Sequence, residues 1–359
     1  MPEKNTTTPI ADYFINHRRN NNTKLNAIDQ MIDWKPVARK LDKALNRTAN
    51  AVGKPAYPAL ILFKALVLQR MYNLSDVELE EQICDRISFR RFVGLGFSAD
   101  VPDATTFCRF RQELLGQKLS EKLFRLVLSQ LLKRGDFRHG ISVDATVVES
   151  LRHPRTTLEV VPEDRAEPDT VDHVTVSYSD DTEAAWLKKG RKTHYGYKVH
   201  MAADPCYGLV IGGHVTPANR SDMNEPGQIL SEIPTEIRGR CFADKGYTSK
   251  ANREVVLRNG FRDGIMDKAV RGRELTYWQK VRNKCISSVR SGIERIFGTF
   301  KRCRDFGRSR YVGMARVEQE FFLVALSYNL VRARTLCFAW EYCVQNLGKI
   351  VKTHENSRK

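Results

Sequence analysis

The hydrophobic pattern of the chain changes its period near residue 140, and no other feature of the sequence constrains the fold as strongly. Before that point apolar residues follow helical spacing, and the segment ALILFKALVLQRMY at 59–72 is apolar enough to be a buried helix. From residue 141 apolar and polar side chains alternate in ISVDATV, which predicts a strand with one buried face. Further strand-like segments and helical patterns follow. The sequence therefore predicts an all-helical first third and an α/β region after it.

Local capping signals predict where several of the early helices begin. Ser75 and Glu78 have the spacing of a capping box, which predicts a helix over about 76–93. Asp103 and Ser120 are predicted to cap two further helices. The helix after Asp103 is basic, and three short helices of this kind fit either a helix-turn-helix DNA reader or a plain helical bundle.

The chain is strongly basic, with 59 Lys and Arg against 42 Asp and Glu, for a formal net charge of +17. This excess favours a polyanionic partner, with nucleic acid ahead of an anionic membrane surface. The positive charge is concentrated after residue 188, and the segment 271–310 is predicted to face phosphates. No apolar segment is long enough to cross a bilayer, and the eight scattered cysteines lack a C-x-x-C pair. A reducing, cytoplasmic location and no zinc finger are expected.

Three carboxylates occupy positions at which a strand or a helix would present them. Asp144 lies on the polar face of the first predicted strand, and Asp244 ends a short strand before a glycine-containing turn. Glu294 lies on a helix face together with Arg290 and Lys301, away from the apolar stripe of that helix. Each carboxylate alone is more often a turn residue or a solvent-facing side chain. Together they suit two Mg²⁺ ions about 3.5–4 Å apart, the arrangement that cleaves phosphodiesters.

Smaller polar signals leave alternatives open. His194, His200 and His214 lie in strand-rich sequence without the spacing of metal ligands, and they are predicted to be structural. Asn219 and Asp222, in the segment TPANRSD, are at least as consistent with capping a turn as with catalysis.

Four segments jointly resemble the bacterial insertion-sequence transposases of the DDE class, in the group named after insertion sequence five. They are SVDATVVES, TPANRSD, FADKGYTS and RSGIERIFGTFKR, and the likeness extends over roughly residues 10–335. The resemblance implies an all-helical N-terminal DNA-binding domain at 1–137 and an RNase H-like mixed-sheet catalytic domain at 138–345. An acidic loop is expected at about 152–187 and a polar tail at 346–359.

The same resemblance implies roles for individual residues. The implied catalytic and metal-binding residues are Asp144, Asp244 and Glu294, holding two Mg²⁺ ions for which Mn²⁺ substitutes. The catalytic helix of the family carries the pattern Tyr-x2-Arg-x3-Glu-x6-Lys, and Ser287 stands here in place of the tyrosine. Arg290 and Lys301 match that pattern, and the basic residues of the sequence itself add the other predicted DNA contacts, Arg302, Arg304, Lys198, Lys245, Arg109 and Arg111. For Lys198 and Lys245 a plain exposed lysine is the alternative.

We therefore expect a transposase that binds the terminal inverted repeats of its element as double-stranded DNA, cleaves there, and transfers the strand to target DNA. A homodimer on DNA is expected because two ends must be joined together. No G-x-x-x-x-G-K loop is present, so no nucleotide cofactor is expected, and no membrane partner is expected. The alternatives are a catalytically silent DNA-binding regulator and a stand-alone RNase H-like nuclease. The intact triad argues against the first, and the basic helical region argues against the second.

Overall fold

The computed structural model describes residues 23–45, 56–154, 158–160, 174–176 and 181–356. Helices make up the part of it that precedes residue 135. They are α1 (Thr23–Met31), α2 (Lys35–Leu45), α3 (Ala59–Tyr72), α4 (Asp76–Asp85), α5 (Ile87–Val93), α6 (Ala104–Gly116) and α7 (Leu119–Leu132).

Two of the predicted caps in this region are confirmed. The Ser75 hydroxyl accepts a hydrogen bond from the Glu78 backbone N–H at 3.1 Å, and the Ser75 N–H donates to the Glu78 carboxylate at 2.7 Å. The Asp103 carboxylate accepts a hydrogen bond from the Thr106 backbone N–H at 2.6 Å. These bonds satisfy backbone donors that the first turns of α4 and α6 leave free.

Two other helix predictions are wrong. The helix expected over 76–93 is interrupted at Arg86, whose backbone is extended, so that α4 and α5 are separate helices. Ser120 does not cap α7, which begins one residue earlier, after Lys118 in a left-handed conformation. Ser120 is instead buried inside the first turn of that helix.

Strands and helices alternate after residue 140. The strands are β1 (Ile141–Glu149), β2 (Leu158–Val160), β3 (Val174–Val176), β4 (Ala185–Lys189), β5 (Lys192–Ala203), β6 (Val210–Pro217), β7 (Arg240–Ala243) and β8 (Arg262–Ile265). The helices are α8 (Pro226–Ser231), α9 (Lys250–Arg258), α10 (Tyr277–Cys303) and α11 (Met314–Asn356). Short 3-10 turns cover Asp222–Asn224 and Lys245–Tyr247.

The main sheet has the order β6-β5-β1-β7-β8, with β4 paired to the first part of β5. Strand β5 is antiparallel to both of its long neighbours, β6 and β1. Strands β1, β7 and β8 run parallel to one another. This mixed order confirms the predicted RNase H-like architecture. Strands β2 and β3 form a separate hairpin within the expected acidic loop, most of which lies outside the described residues.

A glycine fixes the start of β1 against β7. Gly140 has φ +102°, and a Cβ built there would lie 2.1 Å from the Arg240 carbonyl oxygen. Only glycine allows both the positive φ and so close an approach of two backbones. The parallel register that follows pairs Ile141 with Cys241.

The two last helices cover the sheet and connect it to the N-terminal helices. Helix α10 packs on β1 and β7. It starts at Tyr277, after a capping box formed by Thr276 and Gln279. Helix α11 packs on β6 on one side and on α3 and α7 on the other, and it continues to Asn356, past the expected start of the tail at 346. The apolar core is continuous from the N-terminal helices into the sheet.

Two arginines that follow the end of α10 bind the end of α3. Arg304 donates to the carbonyl of Met71. Arg310 donates to the carbonyl of Leu74 at 2.6 Å and to the side-chain oxygen of Asn73, also at 2.6 Å. Cations at the C-terminus of a helix stabilise its free carbonyls and its dipole. None of the described helices combines the length and apolarity needed to cross a membrane.

Candidate active site

Two of the three predicted carboxylates lie side by side at one end of the sheet. In the parallel pair β1–β7, Val143 is the register partner of Ala243, so the residues that follow them are neighbours. Those residues are Asp144, in the middle of β1, and Asp244, directly after β7. The carboxyl end of a parallel strand pair is the usual place for functional groups in open α/β sheets.

Helix α10 brings the third carboxylate to the same place. Arg290 donates from Nη1 to the Asp144 Oδ2 at 2.5 Å and from Nη2 to the Glu294 Oε1 at 2.9 Å. Arg290 and Glu294 are four residues apart, so they lie on one face of the helix. The guanidinium therefore connects carboxylates that are 150 residues apart in the sequence.

The carboxylates interact electrostatically. Burial raises the pKa of Asp144, the Arg290 guanidinium opposes this rise, and the charges of Asp244 and Glu294 add to it. The net direction is upward. Negative charges thus gather at one point with a single arginine bonded between two of them, a site that favours additional positive charge.

A second layer of polar residues borders this site. Lys198 Nζ lies 2.8 Å from the Asp222 Oδ1 and donates to the Arg220 carbonyl at 2.6 Å. Burial raises the pKa of the Tyr247 hydroxyl well above its usual value, and the carboxylates of Asp222 and Asp144 add to the rise. Asp222 is thus paired with Lys198 and does not cap its own turn, which Ser221 caps instead.

A buried cluster on the antiparallel strands combines two of the histidines that were predicted to be structural with a glutamate. His200 on β5 and His214 on β6 are register partners, and their rings stack with centroids 5.1 Å apart. His214 Nε2 lies 2.9 Å from the Glu225 Oε2. Burial lowers the pKa of His200 to about 3, with a contribution from His214. Burial also lowers the pKa of His214, against the raising effect of Glu225.

Comparison with known proteins now decides the family. The Transposase DDE domain family matches residues 136–330, which contain the whole sheet and all three carboxylates. The chain belongs to the DDE transposase family.

Other comparisons agree with this assignment. A family described as Transposase domain (DUF772) matches residues 13–113 of the transposase. The transposase is 32% identical over 231 residues to the transposase for insertion sequence element IS1106 of Neisseria meningitidis serogroup B. That match covers 63% of this chain and 77% of the relative.

Solved transposase structures resemble the chain more distantly. A piggyBac transposase synaptic complex with hairpin DNA matches with a TM-score of 0.44 and 11% identity, covering 88% of this chain and 76% of that one. A Mos1 transposase paired-end complex with the left transposon end matches with a TM-score of 0.20 and 12% identity, covering 74% and 83%. Both TM-scores are too low for the likeness to carry an argument about this transposase.

The structure separates the eight predicted DNA contacts into three groups by the exposure of their side chains. Those with exposed side chains are Lys301, Arg302, Lys245 and Arg109. Arg290 is partly buried between the carboxylates. Lys198, Arg111 and Arg304 are buried, with 8%, 6% and 7% of their surface exposed.

The buried cations correct the expectation that these residues face DNA. Arg111 forms a bidentate ion pair with Asp76. Lys198 binds Asp222, and Arg304 binds the end of α3. Their guanidinium and ammonium groups are engaged inside the protein. A basic residue in a helical pattern predicts charge but not the direction of the side chain, which tertiary packing determines.

Sequence analysis missed Tyr247 and Glu225. Tyr247 belongs to the quoted segment FADKGYTS, but its hydroxyl is buried next to the triad only because a 3-10 turn follows Asp244. Glu225 lies three residues after Asp222 and contacts His214. His214 lies beside His200 only because β5 and β6 pair in this register. Neither contact has a signature in the spacing of the residues.

Proposed function

We propose that this transposase binds the terminal inverted repeats of its element, hydrolyses a phosphodiester at each end, and joins the freed 3′-hydroxyl to target DNA. The observation that carries the proposal is the convergence of Asp144, Asp244 and Glu294 at one edge of the sheet, inside the segment that matches the family. A regulator without catalysis has no need for three carboxylates brought together against their mutual repulsion.

The residues at this edge fit a pair of Mg²⁺ ions, with Mn²⁺ as a substitute. Asp144, Asp244 and Glu294 offer carboxylate oxygens, the hard donors that these ions prefer. The Arg290 guanidinium binds two of these carboxylates and offsets part of their negative charge. Bound there, the ions would activate a water or 3′-hydroxyl as nucleophile and stabilise the leaving oxygen.

The protein's own side chains prepare this site. Arg290 holds Asp144 and Glu294 in place, and it would be available to a DNA phosphate if bound ions offset the charge of these carboxylates. Lys198 holds Asp222 at the border of the site. Tyr247, in the turn directly after Asp244, is buried.

The face of α10 that carries Glu294 is the proposed track for DNA. Lys301 lies seven residues beyond Glu294, which at about 100° per residue returns it to nearly the same face. Lys301 and Arg302 are exposed there, and Lys245 is exposed in the turn after Asp244. These cations supply phosphate contacts, which give affinity and position without reading sequence. The N-terminal helices, with Arg109 exposed on α6, supply recognition of the ends.

Because two ends must be processed together, we place a homodimer on DNA, acting in the cytoplasm at the nucleoid. The test uses the full chain, Mg²⁺ and two duplexes of equal length, one with the inverted repeat flanking the coding segment and one with that repeat scrambled. We expect cleavage at the repeat boundary of the first duplex only. Binding without cleavage would favour the regulator, and equal cleavage of both duplexes would favour the stand-alone nuclease.

A further inference from the structure

The cluster formed by His200, His214 and Glu225 lies on the face of the sheet opposite the triad. His200 is the register partner of Ala145 on β1, the residue next to Asp144. Since successive residues of a strand point to opposite faces, His200 and Asp144 do not share a site. Helix α8 packs over this second face, against β5 and β6.

The three side chains are close enough to share one ion. Each offers one ligand atom, and the three atoms lie within 4.8 Å of one another. The exposed fractions of His200, His214 and Glu225 are 0%, 3% and 2%. Buried polar groups at such density are costly unless every one of them is paired or bound to a metal.

Two of the nitrogens in the cluster have no partner within the described part of the protein. His200 lies 2.9 Å from Thr216 through its Nε2, and His214 lies 2.9 Å from Glu225 through its Nε2. The Nδ1 atoms of both rings are buried without a hydrogen-bond partner. Neutral, buried imidazoles that keep an unpaired nitrogen are the form of histidine that binds metal, and the 2.9 Å between the His214 Nε2 and the Glu225 Oε2 is short enough for both atoms to hold one ion.

A second ring of contacts holds these groups in place. Arg220 donates from Nε to the Glu225 Oε1 at 2.9 Å, on the carboxylate oxygen that does not face His214. Thr216 is the oxygen partner of His200 on the adjacent strand. Outer contacts of this kind orient the side chains that bind metals in proteins.

We propose that His200, His214 and Glu225 bind a Zn²⁺ ion, separate from the Mg²⁺ pair of the active site. Two imidazoles and one carboxylate form a mixed nitrogen and oxygen donor set of the kind zinc takes, whereas the triad offers oxygen alone. The ion connects β5 and β6 to the segment 217–225, which also carries Asp222 to the border of the active site. Because all three side chains are buried, the ion would lie away from solvent and would hold this segment against the sheet.

The first experiment measures zinc in the untagged full chain, because a histidine tag would itself bind the ion. The protein is stripped with chelator, loaded with one equivalent of Zn²⁺, desalted and analysed by mass spectrometry for zinc. We expect about one zinc per wild-type chain and a loss of more than tenfold in His200→Asn and Glu225→Gln. His194→Asn is the matched control on the same strand, since His194 is partly exposed and pairs with Glu149. It should retain the ion, as should Asp144→Asn, which alters only the triad.

No retained zinc in the wild type, or equal retention in His200→Asn, would overturn the proposal. If the histidine variants fail to fold, X-ray absorption on the zinc-loaded wild type decides the question without them. A first shell of nitrogen and oxygen with the back-scattering of two imidazoles supports the site. Sulfur in that shell places the ion on cysteines and contradicts it.

Discussion

Arg290 is the residue that contacts two of the three proposed catalytic carboxylates. Its guanidinium binds Asp144 at 2.5 Å and Glu294 at 2.9 Å, so one cation offsets two carboxylates. The planar guanidinium donates to two acceptors at fixed angles, and a lysine ammonium cannot reproduce this geometry. The same cation opposes the binding of a metal ion to these carboxylates, because like charges repel at short range.

This competition gives a prediction for Arg290→Gln. Removal of the guanidinium should tighten Mn²⁺ binding to the wild-type carboxylates severalfold, while DNA cleavage falls because a phosphate-binding group is lost. Paramagnetic resonance of free Mn²⁺ measures the affinity, and Arg302→Gln, an exposed change of the same charge on the same helix, is the control. Unchanged or weaker Mn²⁺ binding in Arg290→Gln would show that the arginine does not compete with metal.

At the scale of single residues, the sequence patterns select three carboxylates that the fold brings together, but they do not give the direction of several cations. The strand alternation placed Asp144, and the helical stripe placed Glu294, since both follow from short-range periodicity. Arg111 and Arg304 were expected to face DNA, yet Asp76 and the end of α3 bind them. Such partners are 35 and 233 residues distant, and spacing along the chain carries no information about them.

At the scale of secondary-structure elements, the active site depends on the register between β1 and β7. That register follows from Gly140, at φ +102°, where the backbones of the two strands begin side by side. A one-residue shift would turn Asp144 to the opposite face, because side chains alternate along a strand. The alternation of ISVDATV was readable from the sequence, but the partner of the strand was not.

Gly140→Ala should destabilise the protein and weaken catalysis together. The added Cβ meets the Arg240 carbonyl and also strains the positive φ, which costs on the order of 1–3 kcal/mol. Urea unfolding measures this loss as a lower midpoint. Gly116→Ala is the matched control, because nothing lies within 4 Å of its Cβ position, and it should leave the midpoint nearly unchanged. Equal midpoints for the two variants would contradict the role of Gly140.

At the scale of the whole molecule, the N-terminal helices and the sheet are connected through α11. Arg70 of α3 pairs with Glu320 of α11 at 2.8 Å, and both side chains are 1% exposed. Arg70 also donates to the Tyr311 hydroxyl at 3.0 Å. The ring of Phe124 packs on that of Phe322 with centroids 5.5 Å apart. These contacts join the helical region to the sheet through one buried interface.

Loss of one member of this buried pair should be costly. Arg70→Met leaves Glu320 charged and unpaired in the core, which lowers the free energy of unfolding by about 3–5 kcal/mol. The double variant with Glu320→Leu removes both charges, and most of that stability should return. Denaturant unfolding of the wild type, Arg70→Met, Glu320→Leu and the double variant measures the coupling. A double variant as unstable as the sum of the two single changes would show that the ion pair itself does not account for the loss.

The basic surface predicts how DNA binding depends on salt. Lys301 and Arg302 are exposed on α10, so alanine at either position should weaken binding to every DNA sequence alike. The slope of log affinity against log salt concentration should fall by about one for each change. Fluorescence anisotropy over a range of salt measures the slope, and Lys133→Ala, an exposed lysine after α7, is the control. A slope that Lys301→Ala leaves unaltered would remove this residue from the DNA track.

The class of fold could be predicted from the sequence, because the hydrophobic period, the helix caps and the glycines act over a few residues. The sequence was insufficient for the packing of the helical region against α11, since that contact joins Arg70 to Glu320 across 250 residues. It was also insufficient for the cluster of His200, His214 and Glu225, which exists only after β5 and β6 pair. Long-range register determines both features, and a single sequence records neither.

Mg²⁺-dependent cleavage by Glu294→Gln at the repeat boundary tests the central claim most directly. The substitution keeps the size of the side chain and removes the charge that would hold a metal ion. Glu274→Gln, whose carboxylate is 91% exposed, is the matched control. We predict that Glu294→Gln binds the repeat as tightly as wild type and that its cleavage rate falls at least a thousandfold, while Glu274→Gln cleaves normally. Cleavage by Glu294→Gln at the wild-type rate would contradict the assignment of the triad.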